Sequence, residues 1–174
     1  MRNRLCLLAL ALLLVLTGAS TGSAQETGII QAVATVVTSM SVSGSHDLDF
    51  GSVTPGVPKS VQKETAGSAG EWLIAGSASA EVTVDFDLPP ALSHSVSGQL
   101  MPLSFTSTDA SYSDGSGSQS APTGTLNPNG PSTIDIGPGG SLLIWIGGTV
   151  APTVSQTGGD YSADITLTVT YTGN

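Results

Sequence analysis

The sequence predicts an all-β protein, a β-sandwich with Greek-key connections and about 7–9 strands. Three observations carry that reading. Residues 161–171 alternate without a break. Tyr161, Ala163, Ile165, Leu167, Val169 and Tyr171 share one parity, and Ser162, Asp164, Thr166, Thr168 and Thr170 the other. Strand side chains alternate between faces, so this is the pattern of a half-buried strand. Near the other end Ile30, Ala32, Ala34, Val36, Met40 and Val42 repeat the alternation, interrupted only at Thr38. Between these ends no stretch holds a 3.6-residue period, and Gly and Pro punctuate short apolar runs throughout.

Residues 1–24 read as a secretory signal peptide. Arg2 and Arg4 form a positive start, residues 5–16 an apolar core, and Gly22-Ser23-Ala24 a small-residue cleavage site. The apolar core is shorter than the roughly 20 residues that a spanning helix needs. The single cysteine, Cys6, lies inside this leader, so residues 25–174 contain no thiol and no disulfide can staple them. A mature chain of that length is one domain with room for a real core. Localisation follows: periplasm in transit, then secreted or cell-surface, with no stable membrane insertion once the leader is removed.

Without Arg2 and Arg4, two of the four cations remain, Lys59 and Lys63, against 13 acids, a net charge of −11. That sign disfavours nucleic acid and anionic membrane as partners.

Taken in order, strands are expected at 30–42, 48–53, 59–62, 72–76, 81–88, 103–107, 126 or 133–136, 142–146 and 161–171. In the fifth, Val82, Val84, Phe86 and Leu88 oppose Thr83, Asp85 and Asp87, so one face is wet. In 142–146 both faces are apolar, as in a strand buried on both sides. Turns fall at Thr54-Pro55-Gly56, Pro89-Pro90, Asn129-Gly130-Pro131, Gly137-Pro138-Gly139-Gly140 and Gly158-Gly159. Residues 106–124, rich in Ser, Thr, Gly and Asp, read as a solvated surface loop, with a recognition loop as the sharper alternative.

No catalytic, metal or cofactor constellation emerges. His46 and His94 stand outside any ligand spacing. Ser45-His46-Asp47 is contiguous, so in an extended chain its side chains point apart rather than forming a triad. Asp47 with Asp49 and Asp85 with Asp87 read as solvated strand faces, lacking the ligand-rich loop that calcium requires. Trp72 and Trp145 read as core, with a sugar-stacking role for Trp145 as the alternative.

Several segments resemble a family of small secreted bacterial proteins of unknown function, similar to the spore coat protein U domain and, more distantly, to chaperone–usher pilins. They are ATVVTSMSVSG, the run Leu48-Asp49-Phe50-Gly51-Ser52-Val53-Thr54-Pro55-Gly56, WLIAGSASAEVTVDFDLP, and the stretch from GGSLLIWIGGTV to Tyr171. Chaperone–usher subunits carry a glycine and, twelve residues on, a near-terminal tyrosine; Gly159 and Tyr171 reproduce that spacing, with three residues following where one is usual. Met40 stands where coat-protein-U relatives tend to place a cysteine.

The resemblance implies an immunoglobulin-like, pilin-like sandwich over residues 37–174, preceded by an N-terminal extension at 25–36. It implies a non-enzymatic fimbrial or coat-like subunit in cell adhesion, a homo-polymer with a periplasmic chaperone and usher as partners. Ile30, Ala32, Ala34 and Val36 are then candidates for a donated strand, and Gly159, Ile165, Leu167, Val169 and Tyr171 for the C-terminal recognition strand. The same alternation suits a first strand kept within its own sandwich. The alternative function is a monomeric binding module for glycan or surface polymer.

Intact-mass analysis of exported protein should give a chain beginning at Gln25. Trypsin should leave residues 64–174 as one piece, since no Lys or Arg follows Lys63. A full-length, membrane-retained chain would contradict the leader assignment.

Overall fold

The computed structural model describes residues 30–34, 36 and 39–173. The leader 1–24 and residues 25–29 of the extension lie outside the described residues. The chain divides between Thr35 and Val36 into two units, and the fold described below is that of the second. It is all-β, with no helix among the described residues.

Thirteen strands follow in order: β1 (Ser41–His46), β2 (Lys59–Val61), β3 (Gly70–Ala75), β4 (Glu81–Asp87), β5 (Ala91–His94), β6 (Leu100–Ser104), β7 (Ala110–Ser113), β8 (Gly124–Leu126), β9 (Ser132–Asp135), β10 (Ser141–Ile146), β11 (Gly148–Val150), β12 (Tyr161–Ser162) and β13 (Thr166–Tyr171). They form three antiparallel sheets. The first runs β1-β3-β10-β7-β8, the second β12-β5-β6-β11-β2 and the third β13-β4-β9.

Alternation explains how the first and third sheets share a core. Ile74 of β3 and Leu142, Ile144 and Ile146 of β10 turn one way, and Val82 and Val84 of β4 with Leu167 and Val169 of β13 turn to meet them. Burying each such side chain stabilises the fold by about 1.5–3 kcal/mol relative to leaving it in water. Trp72 and Phe86 cross this core edge to face, with ring centroids 6.0 Å apart. A second cluster, under the second sheet, gathers Phe50, Val61, Met101, Leu103 and Val150. Phe105 packs against both clusters.

The first and second sheets are joined where β10 becomes β11. Gly147 sits at that junction, and a Cβ there would collide with the Val61 carbonyl oxygen. Only glycine lets the strand pass so close to the neighbouring backbone.

The strand count exceeds the 7–9 expected, for identifiable reasons. Residues 161–171 are two strands. β12 pairs with β5 in the second sheet and β13 with β4 in the third, and 163–165 cross between them. Parity is conserved through the crossing, so the alternation does not register it. Among the described residues of the expected strand at 30–42, only Ser41 and Val42 lie in a strand, where pairing to β3 begins at Ser41↔Ala75. Residues 48–53 form no strand. Gly51 adopts φ 56°, and its N–H donates to Asp49 Oδ1 at 2.7 Å, a local turn that competes with ladder pairing. The expected strand at 103–107 lies earlier, as β6.

The solvated loop expected at 106–124 is also corrected. It contains β7, on which Ala110, Ser111 and Ser113 are buried. Beyond β7, Asp114 organises the chain by accepting from the Ser116 hydroxyl, the Ser116 N–H and the Thr123 hydroxyl. These bonds hold its carboxyl below the ordinary value of 3.8. Gln119 Nε2 donates to the Lys63 carbonyl at 2.9 Å, and Lys63 Nζ to the Thr108 carbonyl at 2.7 Å.

Replacing Leu167 by Asp should cost more than about 3 kcal/mol by burying an unpaired charge. Thr168→Asp, on the wet face directly opposite Asp85, should cost within about 1 kcal/mol. Urea denaturation of the two variants checks this. Equal tolerance would refute the placement of β13 against the core.

Candidate functional site

One open groove has a volume of about 1190 Å³. Its lining runs from Gly44 and His46 of β1 through residues 47–53 on one side, and from Gln156 to Thr166 on the other. Phe50, Met101, Leu103 and Val150, from the second core, line it as well.

The groove reaches β1 and the start of β13, which are end strands of their sheets, each paired on one side only among the described residues. An end strand presents unpaired N–H and C=O groups. The inward face of β1 is also incompletely covered. Val42 lies opposite Ile74, which is fully buried, yet Val42 itself is 39% exposed. Next along, Gly44 lies opposite Trp72 and has no side chain to cover the indole, which lines the groove. Among the described residues, the first sheet therefore ends in apolar side chains that no further strand covers.

Four carboxylates line the groove, Asp47, Asp49, Asp160 and Asp164, and no Lys or Arg does. A ligand there meets a mixed surface, apolar side chains among polar groups and four carboxylates.

A polar network holds the 156–161 side. The Tyr161 hydroxyl accepts from Gln156 Nε2 at 2.8 Å and lies 2.8 Å from the Thr157 carbonyl and 3.1 Å from Gln99 Oε1, one of which takes its proton. Gln99 Oε1 also accepts from Thr157 N–H at 2.8 Å. Behind Tyr161 stands His94, buried, its ring edge to face with the phenol at 4.9 Å between centroids.

The residues singled out from sequence separate into three places. Ile30, Ala32, Ala34 and Val36 are exposed and lie in no strand. Gly159 and Ile165 line the groove. Leu167 and Val169 lie in the first core, and Tyr171 packs on it with its hydroxyl accepting the Ser77 N–H at 2.7 Å. Gly159 is required locally. Its φ is 141°, and a Cβ there would collide with His94 Nε2.

Compared with known proteins, the chain matches no protein-family model and no curated protein.

Of the other residues weighed from sequence, His46, Asp47, Asp49 and Trp72 line the groove, and Trp145 lies in the core. Trp145 is 3% exposed and donates to Glu71 Oε2 at 2.7 Å, so it offers no surface for a sugar to stack on. The other oxygen of Glu71 is 3.6 Å from His46 Nδ1, which makes Glu71, not Asp47, the acid at His46. Among the described residues no three His, Cys, Asp or Glu side chains gather as a metal site. From sequence, His94 stands outside any ligand spacing, and nothing singles out Gln99 and Gln156. Their roles depend on a contact between the β5–β6 turn and the loop before β12, which no local pattern encodes.

Gly159→Ala should destabilise the fold by about 1–3 kcal/mol through the strained φ and the His94 collision. Gly158→Ala, whose added Cβ meets nothing within 4 Å, should change stability by less than about 0.5 kcal/mol. Thermal melts of the pair test whether the ring is seated against Gly159.

Proposed function

We propose that this protein is a non-enzymatic structural subunit of a secreted, fimbria-like or coat-like surface assembly built by β-strand addition. The alternating segment of one copy, with Ile30, Ala32, Ala34 and Val36 on one face, lies in the groove of the next. The single observation carrying this reading is the groove itself, which mixes apolar and polar groups and reaches two end strands, in a chain whose Ile30, Ala32, Ala34 and Val36 are exposed and outside any strand.

The chemistry of the two parts matches. An extended strand supplies main-chain N–H and C=O groups to an open edge, and its alternate side chains pack on the apolar side chains of the groove. Ile30 and Val36 with the two alanines contribute on the order of 5 kcal/mol of gross apolar burial. No charged residue lies between Glu26 and Asp47, so residues 30–36 bring no carboxylate to a groove already lined by four. In this reading the sandwich is immunoglobulin-like and pilin-like, short of one strand until a neighbour supplies it. A subunit with such a groove open needs a chaperone during export, and a periplasmic chaperone and an outer-membrane usher are the partners the reading calls for.

Protein lacking residues 25–36 should remain folded, or be held folded by a chaperone, and should fail to polymerise. A synthetic peptide of residues 25–36 should raise its melting temperature as peptide concentration rises. A full-length chain that is monomeric at every concentration and unfolds on this truncation would reject strand donation and favour the monomeric binding module.

A further inference from the structure

His94 is a buried imidazole that the assembly reading does not use, and its hydrogen bonds leave it one protonation state. Its Nδ1 lies 3.1 Å from the Val96 N–H and 2.9 Å from the Ser97 N–H. Backbone N–H groups only donate, so Nδ1 must offer its lone pair. The proton of the neutral ring then sits on Nε2, which faces the Gly158 carbonyl at 3.3 Å. The ring thus joins the β5–β6 turn to the loop that forms one side of the groove. Ser95 N–H bonds the same loop directly, at the Asp160 carbonyl, 3.0 Å away. Gly159 lies against Nε2 and Tyr161 against the ring edge, so the space closes around a neutral imidazole.

We propose that His94 is an acid-sensitive latch on the 156–161 side of the groove, closed when the ring is neutral and released when Nδ1 takes a proton. Imidazole is the side chain whose charge ordinarily changes between about pH 5 and 8. A proton on Nδ1 removes the acceptor of two backbone N–H groups and sets donor against donor. It also places a cation in a closed site. The elements packed on the ring, namely β5, β6, β12 and the loops 95–99 and 155–160, bring one carboxylate, Asp160, and one phenol, Tyr161. Relief comes by the ring leaving. That removes the packing behind Tyr161 and frees Gly158, Gly159 and Asp160, all of which line the groove. His94 acts through these residues and is a positioning residue for the groove. Its effect on assembly rests on the strand-addition reading, whereas the opening of the loop does not.

The test follows the ring and the loop together in the intact second unit. Long-range ¹H–¹⁵N NMR of the imidazole at about pH 8 should give the Nε2–H tautomer; a proton on Nδ1 at that pH overturns the latch by itself. As pH falls to about 5, exchange protection of the Ser95, Val96 and Ser97 amides, corrected for intrinsic rates, should drop at least tenfold. The drop should follow the ring's ¹⁵N titration, while the Ile144 amide keeps its protection. In His94→Asn the side-chain oxygen still accepts from the same two N–H groups and takes up no proton in this range, so the drop should vanish. Unchanged protection in the wild type, a drop out of step with ring protonation, or an equal drop in His94→Asn each overturns the proposal. Where the variant fails to fold, the two wild-type curves decide. A peptide of residues 25–36 should bind the truncated chain at about pH 8 and at least tenfold more weakly at about pH 5. Absence of binding at both pH values counts against strand addition and leaves the latch standing. Equal affinity at both, with the amides opened, removes the latch from control of the groove.

Discussion

Leu142, Ile144 and Ile146 have no contact with water, and every sheet of the protein is tied to the strand that carries them. β10 pairs with β3 on one side and β7 on the other. Its inward side chains meet the third sheet, and past Gly147 it continues as β11 of the second. With no cysteine after Cys6, cohesion rests on this packing and on the ladders it supports. The groove is lined from the second core by Phe50, Met101, Leu103 and Val150, and it reaches β1 and β13 at the ends of the first and third sheets. Val42 and Trp72 mark the uncovered margin of the first sheet, and the open groove stands beside it.

Much of this architecture was legible in the chain. The alternation of Val82, Val84 and Phe86, the two apolar faces of 142–146, and the inward Leu167 and Val169 all report burial, which hydrophobic pattern encodes directly. Pairing is another matter. Nothing in 161–171 announces that its first two residues belong to a different sheet from its last six. Phe50 is buried as its pattern suggests, but the segment around it bonds to itself and to Ser68 rather than to a strand. β7 escaped notice because Ala110, Ser111 and Ser113 are small, and two of them are polar. They are buried by what folds over them rather than by their own hydrophobicity. Gly159 and Ile165, which line the groove, are singled out by the resemblance as members of a C-terminal recognition strand, not as parts of a groove. The groove's depth, its four carboxylates and the His94 contact arise from chain segments that only the fold brings together.

The charge distribution complements the open edges. Lys59 and Lys63, the two cations after residue 24, each donate to a backbone carbonyl, Ser52 at 3.0 Å and Thr108 at 2.7 Å, and so tie down loops. The wet face of the third sheet sets Thr166 and Thr168 opposite Asp87 and Asp85, and Glu81 opposite Asp135. A polar, anionic face of this kind keeps copies from adhering sheet to sheet. An uncharged apolar strand is under no such repulsion.

The pairing partners also bear on how fast the protein can form. Ile74 pairs with Leu142, Val61 with Gly148, and Val82 with Tyr171. Each sheet thus joins an early part of the chain to a late one. Closing long loops costs entropy before any contact compensates it, and topologies dominated by distant pairings fold slowly. No sheet can be completed until the C-terminal half has emerged, and the third waits for the last strand of all. Until then, strands whose partners lie late in the chain are open to misassociation.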